Sequence, residues 1–220
     1  MIAEIAALWI KYDYVFLNGL KGTLLLALVT LFFGTVTGVI VALMRMSKNR
    51  VILFFVNIYI EVLRGTPILL QLYFFWLVLP KISPITLSDT TCIIVALIVN
   101  SSSYISEIIR AGIQAVDKGQ TEAAKSLGMS PGVTLRYIVL PQAVKNILPA
   151  LGNQFILTVK ETSLASVFFV GELMTSYKSV QSATFLSVSS LTIAGIIYLV
   201  VTYSLSKAVG IFEKRLAVSS

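Results

Sequence analysis

The chain has 220 residues, 57% of them hydrophobic and only 12% charged, with a mean hydropathy of +0.91. A soluble protein carries about 25% charged residues, so an ordinary soluble domain is excluded and an integral membrane protein is indicated. With no histidine and one cysteine, Cys92, an intrachain disulfide, a Cys/His metal set and Ser–His or Cys–His catalysis are excluded as well. The chain lacks a Gly-Lys dipeptide and therefore a phosphate-binding P-loop. Any ATP hydrolysis that drives it must come from another chain. The net charge of +7 fits basic cytoplasmic loops better than nucleic acid binding, since no basic run is interleaved with aromatics.

In chain order, Met1–Asn18 makes a poor signal peptide, because Glu4 and Asp13 interrupt it and no basic region precedes an apolar core. It reads as a short amphipathic lead-in on the membrane surface. The uncharged run Thr23–Leu43 is long enough to cross about 30 Å of hydrocarbon. Its Gly34-x-x-x-Gly38 pattern suits close helix packing, within the subunit rather than at a dimer seam. A second span is expected over about residues 51–79, with Glu61, Arg64, Gly65, Thr66, Pro67 and Gln71 in its middle. A third covers about 90–111 and carries Asn100-Ser101-Ser102-Ser103 and Glu107. Cys92 lies in its apolar run as a packed core residue. Residues 117–145 form a polar loop. A fourth span, about 146–170, is interrupted by Lys160-Glu161-Thr162-Ser163, and a fifth covers about 185–206.

Charge orients these spans. Arg45, Lys48, Arg50, Arg110, Lys118, Lys125, Arg136, Lys145, Lys207, Lys214 and Arg215 fall on one side. Only Lys11, Lys21, Lys81 and Lys178 fall on the other. The positive-inside rule then predicts five spans, an outside N-terminus and a cytoplasmic C-terminus. No internal repeat or linker divides the chain, so residues 1–220 read as one membrane domain.

Ionisable groups at membrane depth cost roughly 2.5–3.5 kcal/mol each and must face protein or water. Glu61 and Arg64 are three apart and can pair on one helix face. That makes them a candidate structural ion pair. Gly65 and Pro67 free backbone groups, which is tolerated where they line a cavity, and this makes Thr66 and Gln71 candidate pathway residues. Asn100 and Ser103 share a helix face and can either contact a polar ligand or glue helices. Glu107 and Arg110 read as a structural pair near the cytoplasmic end. Glu161 offers a carboxylate for the ammonium of a zwitterion, with Ser163 beside it; the alternative is a gate or helix-pairing charge.

The loop carries the strongest pattern. Ala123, Ala124 and Leu127 are expected on one helical face, at spacings of three and four, Gly128 reads as a helix stop, and Ser130-Pro131 as an N-cap with proline at the first position. A second short helix is expected to run toward Ile138 and end near Pro141. The result would be a bent knob outside the bilayer. The alternative, a helix lying on the bilayer surface, has too weak an apolar stripe for lipid binding.

Glu122-Ala123-Ala124, then Gly128, then Ile138-x-Leu140-Pro141 resembles the EAA loop of bacterial ABC importer permeases. Glu61-x-x-Arg64-Gly-Thr-Pro-x-x-x-Gln71 resembles the polar amino acid subfamily of those permeases. The resemblance implies the all-α type I permease fold, with five transmembrane helices in the bacterial inner membrane. It implies a cytoplasmic coupling helix in which Glu122, Ala123, Ala124, Leu127, Gly128 and Pro141 engage an ATPase groove. The implied partners are two ATPase subunits using ATP and Mg, a second permease copy or close relative (a homodimer in the first case), and an extracytoplasmic solute-binding protein. This chain would bind no cofactor and catalyse nothing itself. A polar amino acid would pass near Glu161, Asn100, Ser103, Thr66, Gln71 and Ser163. The rival readings are a stand-alone polar-solute channel or a structural membrane subunit of another complex.

Overall fold

The computed structural model describes residues 1–218, and every regular element among them is helical. Helix α1 (Ile2–Arg45) is 44 residues long, about 66 Å at the α-helical rise. It runs without a break through the expected surface lead-in. That lead-in is therefore not a separate element. Its Leu8 and Phe16 are buried together with Leu173, Val180, Ile193 and Ala194 of later helices. Gly22 lets this happen: a Cβ there would sit 2.0 Å from the Gly171 carbonyl oxygen.

Two helices replace the expected second span. Helix α2 (Arg50–Gly65) starts at Asn49, whose side chain accepts a hydrogen bond from the Val51 N–H at 2.9 Å. Helix α3 (Ile68–Ile82) follows at a bend of 113°. Proline disfavours the helical region for the residue before it, and Thr66 and Pro67 are both extended. The interruption expected at Gly65 and Pro67 within 51–79 is present, as a sharp bend between two helices.

Helix α4 (Asp89–Gln114) is the centre of the molecule, with Cys92, Ile93, Ala96, Leu97, Asn100, Ser101, Ser102, Ser103 and Ile105 all buried. It lies along α1. A Cβ on Gly34 would meet Ser101 Cβ at 3.1 Å and one on Gly38 would meet Ile105 Cγ2 at 2.8 Å. The glycine face expected to pack within the subunit packs there, against α4.

The loop folds as α5 (Lys118–Ser126), the single turn α6 (Pro131–Thr134) and a π-helical turn, Leu135–Val139. Helix α7 (Leu140–Glu161) then tightens into a 3-10 segment, Thr162–Phe168. Helices α8 (Leu173–Thr184) and α9 (Ser187–Val218) complete the described chain. Phe169 and Phe185 end their helices with φ of 55° and 58°, a left-handed conformation that bulky residues seldom adopt. By length and composition three described helices can cross a membrane, namely α1, α4 and α9, or four if the bent α2–α3 pair counts as one. Helix α7 and its 3-10 extension occupy the expected fourth span but carry Lys145, Asn146, Asn153, Gln154, Lys160 and Glu161.

Candidate functional site

The break between α2 and α3 is held by an amide clasp. Pro67 has no N–H, so the carbonyl of Leu63, four residues earlier, loses its helical donor. The Gln71 side chain supplies one, donating from Nε2 to the Leu63 oxygen at 2.8 Å, with the Thr66 Oγ1 also 2.9 Å away. Thr66 Oγ1 donates in turn to the Val62 carbonyl at 2.7 Å. From α4, Asn100 Nδ2 donates to Gln71 Oε1 at 2.8 Å. The structure thus brings together Thr66, Gln71 and Asn100. Gln71 and Asn100 are buried and spend these groups on each other. Ser103 is buried too and bonds back to the Asn100 carbonyl at 2.7 Å. Removing the clasp with Gln71→Leu leaves the Leu63 carbonyl and the Asn100 amide unpaired. A loss of about 1–3 kcal/mol is expected, measured as a lower melting temperature of the purified chain.

Below the clasp, Glu107 of α4 gathers three guanidinium groups. Its Oε1 accepts from Arg110 Nε at 2.9 Å and from a second Arg110 nitrogen, and its Oε2 accepts from Arg45 of α1. Arg64 Nη1 of α2 stands 3.8 Å from Oε2, with its guanidinium 5.6 Å from the centre of the Tyr104 ring. The expected Glu61–Arg64 ion pair is therefore corrected. Glu107 of α4 is the more buried carboxylate and takes Arg64, while Glu61 is exposed and in no ion pair among the described residues. The expected Glu107–Arg110 pair is present, and Arg45 and Arg64 join it.

Glu161 and Ser163 belong to neither group. Ser163 Oγ bonds to the Lys160 carbonyl at 2.6 Å and Thr162 Oγ1 to that of Val159 at 2.8 Å. These back-bonds accompany the tightening from α-helix to 3-10. Glu161 is half-buried and makes no hydrogen bond or ion pair among the described residues. Lys160 beside it is exposed.

The knob formed by the 117–145 loop is built as a helix, a stop and a turn. Asp117 caps α5, accepting from Gly119 N–H at 2.6 Å. Gly128 has φ +78°. Met129 N–H bonds to the Ala124 carbonyl and Gly128 N–H to that of Lys125, the paired closure of a Schellman motif. Ala124 is buried, whereas Glu122, Ala123 and Gly128 are exposed and Leu127 is 82% exposed. One shared face for Ala123, Ala124 and Leu127 is thus corrected. Ala123 and Leu127, four apart, point outward, and Ala124 turns in against the loop. Ser130 and Pro131 occupy the N-cap and first position as expected, although the Ser130 side chain makes no cap bond. The second helix does not end near Pro141. Residues 131–161 are helical without a break, and Pro141 lies inside this stretch, directly after the π-helical turn in which Leu140 N–H bonds to the Leu135 carbonyl, a widening that accommodates the missing donor.

Glu172 was not legible as a site. It is wholly buried and caps α8, accepting from Met174 N–H at 2.8 Å, Thr175 N–H at 2.6 Å, Thr175 Oγ1 at 3.0 Å and Tyr198 Oη at 3.1 Å. Burial pushes its carboxyl up from the usual range, and these donors hold it back. Glutamate is not among the preferred cap residues, so no sequence rule marks it. Among the described residues no three Asp, Glu or Cys side chains stand close enough together to hold a metal ion.

Residues 34–218 match the family described as binding-protein-dependent transport system inner membrane component. The chain belongs to this family. The match begins at the glycine face of α1 and takes in the clasp, the Glu107 node and the knob of this permease. An arginine transport system permease protein of Bacillus subtilis is 38% identical over 91% of each chain. A nopaline transport system permease protein of Agrobacterium fabrum is 40% identical over 87% of this chain and 83% of that one. A putative glutamine transport system permease protein of Rickettsia bellii is 36% identical over 96% of this chain and 98% of its own. The permease superposes on the crystal structure of an amino acid ABC transporter with histidines at a TM-score of 0.90, with 43% identity, covering 94% of this chain and 96% of that one. An inward-facing methionine ABC transporter aligns at a TM-score of 0.77 with 18% identity, covering 92% and 96%, a likeness of fold alone.

Proposed function

We propose that this inner-membrane permease carries a polar amino acid by alternating access, driven by a separate ATPase that uses ATP and Mg. The observation that carries the reading is the relatedness to permeases of arginine, nopaline and glutamine systems at 36–40% identity over most of the chain. Exposure of Leu127 on a rigidly closed turn supports the knob as the ATPase contact, with Glu122, Ala123 and Gly128 around it. A second copy or close relative completes the pathway, and an extracytoplasmic binding protein delivers the solute. The basic residues on the α5 side support a cytoplasmic C-terminus and an outside N-terminus. Five crossing segments follow if α2–α3 and α7 with its 3-10 extension each count as one.

Within the membrane, Glu161 is the leading group for the substrate ammonium, because its carboxylate is half-buried and unspent. Ser163, on the next turn, donates to the Lys160 carbonyl and keeps its lone pairs for a substrate. Thr66, Gln71 and Asn100 serve the clasp in this conformation, Ser103 bonds back along α4, and these four reach a substrate only if the corner opens. Glu161→Gln is expected to cut uptake at least about tenfold, the scale of one lost charge-assisted contact, while the ATPase still co-purifies. Uptake in reconstituted vesicles, with competition across the amino acids, reads both the effect and the substrate. Unchanged transport of every amino acid by that variant removes Glu161 from the pathway. A stand-alone channel has no use for an exposed apolar peg on a closed turn.

A further inference from the structure

We propose that the cleft where the cytoplasmic ends of α1, α2 and α4 meet binds a phosphate group of net negative charge, carried by an anionic phospholipid or free in solution. The cleft has a volume of about 350 Å³ and is lined by Arg45, Asn57, Arg110 and Gln114, with Leu53 and Ile113 as apolar walls. That volume lies at the small end of the range for ligand clefts, enough for a headgroup. Its charge is unbalanced. Arg45 and Arg110 share the single carboxylate of Glu107 with Arg64. Each guanidinium has five N–H donors. Arg110 spends three nitrogens on Glu107 and Gln114, whereas Arg45 spends one on Glu107, so most Arg45 donors have no acceptor among the described residues.

Asn57 adds a polar group at the mouth of the cleft. It is the one amide in the apolar run Val51–Ile60 of α2, it lines the cleft, and it is exposed there, where its amide can reach an incoming oxygen. Planar guanidinium groups with an amide beside them are suited to phosphate oxygens. Lys48 and Arg50 are exposed at the same end, and Leu43, Phe54 and Phe55 present apolar surface on the flanks. Basic clefts between membrane helices on the cytoplasmic side take anionic headgroups by this combination. The inference does not depend on which solute is transported.

The test uses the full chain purified in detergent with its accompanying subunits. Retention of phosphatidylglycerol and phosphatidylcholine is read by native mass spectrometry, and melting is followed with and without millimolar inorganic phosphate. Phosphatidylglycerol is expected to be retained about fivefold more than phosphatidylcholine, the effect of one basic side chain near an anionic surface. Arg45→Gln, which removes a charge from the cleft, should abolish that preference, and Asn57→Leu, which leaves the Glu107 ion pairs alone, should weaken retention of both lipids. Lys48→Gln, outside the cleft, should not. If inorganic phosphate raises the melting temperature of the wild type but not of Asn57→Leu, the source is the free anion. If only phosphatidylglycerol does so, the source is the lipid. Equal retention of the two lipids with no response to phosphate overturns the proposal. So does a preference that survives Arg45→Gln but falls with Lys48→Gln.

Discussion

Glu107→Gln is expected to destabilise the permease by roughly 2–4 kcal/mol, a value discounted from the cost of breaking a fully buried ion pair because the node is partly wet. The side chains of Glu107, Arg45 and Arg64 are 20%, 27% and 43% exposed, so water screens part of the interaction. The substitution keeps the shape and removes the charge. Three guanidinium groups from α1, α2 and α4 would then converge on a neutral amide whose NH₂ also points at donors. Repulsion between Arg45 and Arg110 has no other relief within the node. The measurement is thermal unfolding of the purified chain. Combining Glu107→Gln with Arg45→Gln should recover part of the loss, since one unpaired cation is removed, and the double substitution should cost less than the sum of the two singles. A Glu107→Gln chain that melts with the wild type contradicts the node's role.

Leu127→Asp is expected to leave the chain folded and release the ATPase. Leu127 is 82% exposed, so the fold loses little when it changes. An apolar anchor at the centre of an interface is worth about 2 kcal/mol or more, roughly thirtyfold in affinity, and a carboxylate in an apolar groove adds a desolvation cost. Ala124→Asp makes the contrast. Ala124 is 4% exposed, so the same charge there should damage the knob itself and lower both yield and melting temperature. Co-purification of the ATPase, read beside the melting curve, separates the two. Retention of the ATPase by a folded Leu127→Asp chain would move the contact elsewhere on the loop.

Much of this architecture was legible because membrane proteins obey strong rules. Apolar length marked α1, α4 and α9, and the distribution of arginine and lysine put the loop with α5 on the basic side. The Gly128 stop and the Ser130-Pro131 restart were readable because each depends on local backbone chemistry. The helix break at Gly65-Thr66-Pro67 was visible too, but its 113° bend was not. The bend depends on Gln71 and Asn100 meeting across two helices, and spacing along one chain does not report that. Arg64 went to Glu107 rather than Glu61 for the same reason: a three-residue spacing permits a pair, and a more buried carboxylate on α4 won it. Helical spacing groups Ala124 with Ala123 and Leu127, yet Ala124 is buried while the other two are exposed. Glu172 had no signal at all, since a buried glutamate cap satisfied by four donors breaks the usual preference.

The most direct test of force passing between chains is uptake of radiolabelled amino acid into vesicles that hold this permease with and without a co-purified ATPase, each with and without internal ATP. Uptake is expected only when the ATPase and ATP are both present, and it should vanish with Leu127→Asp. Uptake at the full rate by the permease without any ATPase would contradict the account.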